Sequence, residues 1–169
     1  GYFHMKVLIN PMTREGYNII AEEHRKLIEE DRPKMVDNMA TAAAEGDRSE
    51  NAEYIYSKKR IREIDKRLRY LTTLLKDVEI INPQNIRSDC VEFGATFTVM
   101  DEDGVEKTWT IVGVGESDVD AKTISWKSPL ARAVWGKKVG AVVSVERPAG
   151  DVDCEITDLH YAGRRMPKL

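Results

Sequence analysis

Cysteine is scarce in this 169-residue chain. Cys90 and Cys154 stand far apart, with no CxxC spacing and no Cys/His grouping. That excludes a zinc ribbon or a dithiol redox motif and predicts two reduced thiols packed in or near a core. Long apolar runs are missing too: nothing approaches the roughly 20 residues of a membrane span. No cationic-then-apolar leader is visible, so a cytoplasmic protein with no membrane partner is expected. A large net charge is also lacking. At −3 overall, the chain is not built for general electrostatic attachment to nucleic acid or anionic lipid. Any nucleic-acid contact has to come from a local patch.

What is present is 41% apolar and 33% charged residues, the composition of a well-solvated globular chain with room for one ordinary domain or two small ones. Residues 1–4, ahead of Met5, read as a cloning remnant. The chain changes character at "NPQN", residues 82–85. Upstream are long charged amphipathic segments; downstream are short Val/Thr/Ile/Trp runs punctuated by glycine. The organisation expected is a helical hairpin over 5–81, a linker over 82–89, a β domain over 90–162 and a basic tail over 163–169.

The second upstream segment is the most periodic. Tyr54, Ile61, Ile64, Leu68, Leu71, Leu75 and Val78 follow a heptad phase interrupted only by Ser57, the pattern of a coiled-coil seam. Thr13 is a plausible N-cap for the first segment. Its stripe runs Tyr17, Ile20, His24, Leu27 and then Met35, Met39 and Ala43, with Pro33 predicting a kink or local loosening. A Gly-containing turn over 45–49 folds the segments back as an antiparallel pair roughly 40 Å long.

The β domain follows from alternation and turns. "VEFGATFTV" places Val91, Phe93, Ala95, Phe97 and Val99 on one face, and "DEDG" at 101–104 is a hairpin signal into "EKTWTIVGV". "TISW", "GAVVSVE" and "DCEITDLHY" supply further strands. "SPLARAVWG" reads as a short helix with Ser128 at the N-cap, Pro129 at N1 and Gly136 past the end. Fold class is therefore α+β: an antiparallel helical hairpin followed by a small antiparallel β domain with one short helix.

Two features of the hairpin carry chemistry. Its tip crowds Glu45, Asp47, Glu50 and Glu53 around Gly46. Asp47 and Glu50 form D-x-x-E, which reads as a capping box with Asp47 at the N-cap, favoured also by the helix dipole. They also read as metal ligands presented at the open end of the seam. Two carboxylates are too few to hold Mg²⁺ in water, because that ion keeps most of its waters, so such a tip could only complete another protein's site. Behind the tip, Lys58, Lys59, Arg60, Arg62, Lys66, Arg67 and Arg69 stand against only Glu63 and Asp65. Lys59, Arg62, Lys66 and Arg69 share one stripe opposite the seam. One reading is a solvated face with i,i+4 pairs Glu63/Arg67 and Asp65/Arg69; the other is a docking stripe for a polyanion, dependent on salt.

The run "GDRSENAEYIYSKKRIREIDKRLRYL" resembles the tip and second helix of the bacterial Gre transcript-cleavage factors, closest to the GreB branch. "TREGY" near the start and "SPLARAVWGKKVG" with "PAG" in the second domain extend the likeness over roughly residues 12–162. The resemblance implies an FKBP-like β domain that grips RNA polymerase at the rim helices of its secondary channel, with Ser128 and Pro129 in that contact. It implies a hairpin inserted down the channel to stimulate the polymerase's own cleavage of the nascent RNA 3′ end in backtracked complexes. In that role Asp47 helps to hold a Mg²⁺ shared with the polymerase active site, Glu50 orients or activates the attacking water, and Ser49 and Asn51 support the tip. The cationic stripe guides the RNA. The chain itself is then no enzyme but a factor completing one. Lys127, where a neutral or acidic residue is expected, and the tail "GRRMPKL" depart from the pattern. An inhibitor bound at the same channel, a coiled-coil adaptor without chemistry, and a prolyl isomerase are the rival readings; aromatics at 7% argue against the last.

Overall fold

The computed structural model describes residues 9–46, 51–162 and the backbone of 164–165. The chain falls into two compact units: Tyr17–Lys76, and the residues up to Gly16 together with those from Asp77 onward.

The helical unit comprises α1 (Arg14–Lys26), a π-helical turn (Leu27–Asp31), α2 (Arg32–Ala44) and α3 (Ala52–Leu75). The expected loosening at Pro33 takes a specific form. Proline has no N–H to offer the carbonyl four residues back, and its ring crowds that carbonyl. The turn before it widens, and the Arg32 N–H reaches back five residues to the Leu27 carbonyl. One residue is thereby added to the helical phase. An undisturbed heptad running on from Ile20, His24 and Leu27 would bring Lys34, Asn38 and Thr41 into the seam. All three are exposed; Met35 and Met39 are half-buried and Ala42 is buried instead. The π turn keeps the apolar stripe facing α3.

On α3 the most buried positions are Ser57, Ile64 and Leu71, seven residues apart, with Leu74 beyond them. Tyr54, Ile61, Leu68 and Leu75, the alternate seam positions, are half-buried. Ser57 therefore lies inside the seam rather than breaking it. Its hydroxyl has no hydrogen-bond partner among the described residues.

The other unit holds β1 (Pro11–Met12), β2 (Glu79–Ile80), β3 (Ala95–Asp101), β4 (Glu106–Val112), β5 (Thr123–Ser125), α4 (Pro129–Val134), β6 (Val142–Val145), β7 (Val152–Tyr161) and β8 (Arg164–Arg165). The main sheet runs β5-β4-β3-β7-β6, with β8 beside β7. It is mixed rather than wholly antiparallel, because β5 pairs parallel with β4. The loop and turn over 113–122 return the chain to the edge it left, and that makes the pairing parallel. Alternation in β3 buries Ala95, Phe97 and Val99, and Ala131 and Val134 of α4 join the same core. Asp101 closes the predicted hairpin turn by accepting from the N–H groups of Asp103 (2.9 Å) and Val105 (3.0 Å). Cys154 lies in the core and Cys90 is half-buried, both as free thiols pushed up in pKa by burial.

Three boundaries differ from the sequence reading. The segment expected as a linker over 82–89 is bound to the β domain: Ile81 and Ile86 pack on its core, and Pro83–Asn85 form a 3₁₀ turn. The basic tail starts as a strand, since Arg164 and Arg165 pair with Tyr161 and His160. Finally, β1 and β2 form a two-residue parallel bridge that no periodicity announced.

Thr13 is the expected cap: its Oγ1 accepts from the Gly16 N–H at 3.0 Å. The Glu116 carboxylate in turn accepts from the Thr13 hydroxyl and from the Gly113 N–H at 2.7 Å. A Cβ on Gly16 would overlap that carboxylate, so a side chain there would push Glu116 off the Thr13 cap.

Candidate functional site: the hairpin tip and its cationic shaft

Asp47, Ser49 and Glu50 lie outside the described residues. The residues on either side of them meet. At the end of α2 the Ala42 carbonyl accepts from the Glu45 N–H at 3.2 Å. It also accepts from Asn51 Nδ2 at 2.6 Å. The other end of the same amide, Oδ1, accepts from the Tyr54 N–H at 3.1 Å. Asn51 thus caps α3 and ties the start of α3 to the end of α2.

This corrects the capping assignment. The N-cap of α3 is Asn51 and not Asp47, so D-x-x-E over 47–50 is not the capping box of this helix. Asn is as good an N-cap as Asp, and α3 needs only one. Glu53 occupies the first turn, where the helix dipole favours an anion.

The seven shaft cations divide by environment. Arg67 reaches across the hairpin to Glu23, with Nε–Oε2 at 2.5 Å and Nη2–Oε1 at 2.9 Å. Asp65 is taken by Arg32 of the first arm at 2.8 Å. Arg60 meets Glu63 at 3.5 Å. The i,i+4 pairs expected from spacing, Glu63/Arg67 and Asp65/Arg69, are not formed: Arg67 and Asp65 take counter-ions on the facing arm in bidentate geometry, and Glu63 takes Arg60 one turn back on its own helix. The hydrogen bonds from Arg67 and Arg32 hold the carboxyls of Glu23 and Asp65 below their usual range.

Lys58, Lys59, Arg62, Lys66 and Arg69 are exposed, and none forms an ion pair among the described residues. Four of these five are the stripe at intervals of three, four and three. Glu23 and Arg32 went unforeseen as counter-ions: cross-arm pairing depends on the register of the hairpin, which intrachain spacing does not encode.

In the β unit, Ser128 Oγ accepts from the Ala131 N–H at 3.3 Å and caps α4, with Pro129 exposed in its first turn. Pro129 borders an open groove of about 380 Å³ with Arg132, Ala133, Ser144 and Glu146. Lys127 is exposed, its Nζ 5.3 Å from the centre of the Trp126 ring.

A capped helical hairpin with a bare cationic stripe, joined to a small mixed-sheet domain, defines a two-domain class that the comparisons identify. The family profile "Transcription elongation factor, N-terminal" matches residues 10–80, and "Transcription elongation factor, GreA/GreB, C-term" matches 86–161. The chain belongs to the GreA/GreB family of transcription elongation factors. It is 43% identical over 152 residues to transcription elongation factor GreB of Pasteurella multocida (strain Pm70), covering 90% of this chain and 96% of that one. It is 42% identical over 152 residues to transcription elongation factor GreA of Nitrobacter hamburgensis, covering 89% and 96%. These identities do not separate the two branches. Among solved structures, the transcription factor Gfh1 aligns over 92% of this chain and 99% of its own, at 19% identity and a TM-score of 0.43. The GreA/GreB factor of Nitrosomonas europaea aligns over 92% and 100%, at 15% and 0.40. Superpositions at that level add nothing to the family assignment.

Proposed function

We propose that this transcription elongation factor acts in the cytoplasm by entering the secondary channel of RNA polymerase and stimulating the polymerase's own cleavage of backtracked nascent RNA. The chain supplies no complete active site. Asp47 would help to hold a Mg²⁺ shared with the polymerase, and Glu50 would orient or activate the attacking water. A second ion beside the resident one stabilises the charge on the attacking and leaving oxygens of a phosphodiester. Ser49 supports the tip beside them.

The observation that carries this reading is the cap on α3. Asn51 is the N-cap of α3 and accepts from the Tyr54 N–H, so the start of the helix does not call for Asp47 as its cap. Mutual repulsion of crowded carboxylates is otherwise a cost without a return. The shaft adds a second line of support. Stability alone favours mixed charge on a helix face, whereas five exposed cations that form no ion pair among the described residues suit the phosphates of an extruded strand. Ser128 and Pro129, beside an open groove, are the proposed contact with the polymerase rim helices.

The test is cleavage of end-labelled transcript in a stalled, backtracked polymerase complex, comparing this protein with its Asp47→Asn variant. Cleavage by the unmodified protein and loss of most of it in the variant are expected. Equal activity of the two would remove Asp47 from the chemistry. Inactivity of both, with binding retained, would instead make the protein an inhibitor or adaptor at the same site.

A further inference from the structure

Two tyrosines on α3 face away from the seam that buries most of the helix's apolar side chains. Tyr56 is 58% exposed and Tyr70 46% exposed. They are 14 residues apart, close to four helical turns. Both rings therefore lie along one edge of the cationic stripe, about 21 Å from each other. Neither fills a seam position: Tyr54 takes the one nearest the tip, and among the ring contacts of the described residues Tyr70 meets the hairpin only through Arg67.

Their surroundings are those of a single-strand platform. Lys59, Arg62 and Lys66 run beside them and form no ion pair among the described residues. Glu63, the carboxylate on the same edge, is offset by Arg60 at 3.5 Å. Arg67 lies over the Tyr70 ring at 5.3 Å and is itself held by two hydrogen bonds to Glu23. That arrangement fixes a ring and a guanidinium plane in advance of any ligand. A cationic track interleaved with exposed aromatics is the combination that binds single-stranded nucleic acid, phosphates on the cations and bases on the rings.

We propose that Tyr56 and Tyr70 are two stacking steps for bases of the extruded RNA, with Tyr70 reached only by a long strand. The inference rests on the reading of the shaft as an RNA guide and deepens it: the cations set affinity, and the position of Tyr70 sets strand-length preference. Stacking tolerates any base, so the preference is for length and not for sequence.

The experiment titrates the unmodified protein and its Tyr70→Leu and Tyr70→Phe variants against stalled complexes with a short or a long extruded strand, reading the concentration for half-maximal cleavage. For Tyr70→Leu, the long-strand requirement should rise about fivefold or more relative to the short-strand requirement. Tyr70→Phe should restore the ratio, because the ring and not the hydroxyl is used. The salt dependence should keep its slope, since every cation that neutralises a phosphate is retained. A loss equal on both strands would place Tyr70 against the polymerase instead, and no loss on either would end the stacking proposal. If the unmodified protein cleaves neither strand, the reading beneath the proposal falls and takes it along.

Discussion

Asn51 and Ala42 are joined by a 2.6 Å hydrogen bond from the Asn51 side-chain amide to the Ala42 backbone carbonyl, across the turn of the hairpin. The same amide caps α3 through its oxygen. Two substitutions separate these roles. Asn51→Asp keeps the cap and removes the cross-turn donor; Asn51→Ala removes both. Loss of the cap should lower stability by about 1 kcal/mol, read as thermal unfolding followed by circular dichroism. Cleavage stimulation should fall in both variants, since each loosens the flank of Asp47 and Glu50. Full activity in Asn51→Asp would show that the tip does not need the cross-turn bond.

Ser57 is buried to 1% exposure with no partner for its hydroxyl among the described residues. Burying an unpaired hydroxyl costs on the order of 1–3 kcal/mol. Ser57→Ala removes the hydroxyl and little volume, so it should raise the melting temperature. A lower melting temperature would mean that the hydroxyl is satisfied in solution.

The Glu23–Arg67 pair predicts a small acid-sensitive contribution to the hairpin. The Arg67 guanidinium depresses the Glu23 carboxyl in the folded state. The stabilisation is therefore present above the unfolded pKa of about 4.3 and is lost as pH falls through the lower folded value. Both side chains are substantially exposed, at 37% and 49%, so screening limits the effect to at most about 0.5 kcal/mol. Melting curves between neutral and acidic pH should show this increment in the unmodified protein and not in Glu23→Gln.

The stripe should reveal itself through salt. Arg62→Ala and Lys66→Ala each remove an exposed cation that forms no ion pair among the described residues, so stability should change by no more than about 0.5 kcal/mol. Binding to complexes with a long extruded strand should weaken. The slope of log affinity against log salt should become shallower by about 0.7 for each phosphate no longer neutralised. An unchanged slope would return the stripe to the role of a solvated face.

Much of the fold was readable because the signals lie within single elements. The heptad over Tyr54–Leu75, alternation in β3, the Asp101 turn and the Ser128 cap each depend on residues a few positions apart, whereas Val78, read as the last seam position, lies beyond the end of α3. The candidate site was readable in part. Spacing alone placed Lys59, Arg62, Lys66 and Arg69 on an exposed stripe. It did not assign the cap, because D-x-x-E and the asparagine following it are both acceptable starts for a helix, and local preference does not choose between them.

The sequence by itself determined where the long helices and the main strands run, which faces are apolar, and that the tip is acidic and the shaft cationic. These follow from periods of 3.6 and 2 and from the chemistry of caps and turns. Only the tertiary structure decided the one-residue phase shift before Pro33, the cross-arm partners of Arg67 and Asp65, the parallel β4–β5 pair and the closure of the turn by Asn51. The last three are pairings between segments, whose free energy depends on register and reach across space, and the phase shift is fixed by the need to keep the apolar stripe of one arm facing the other.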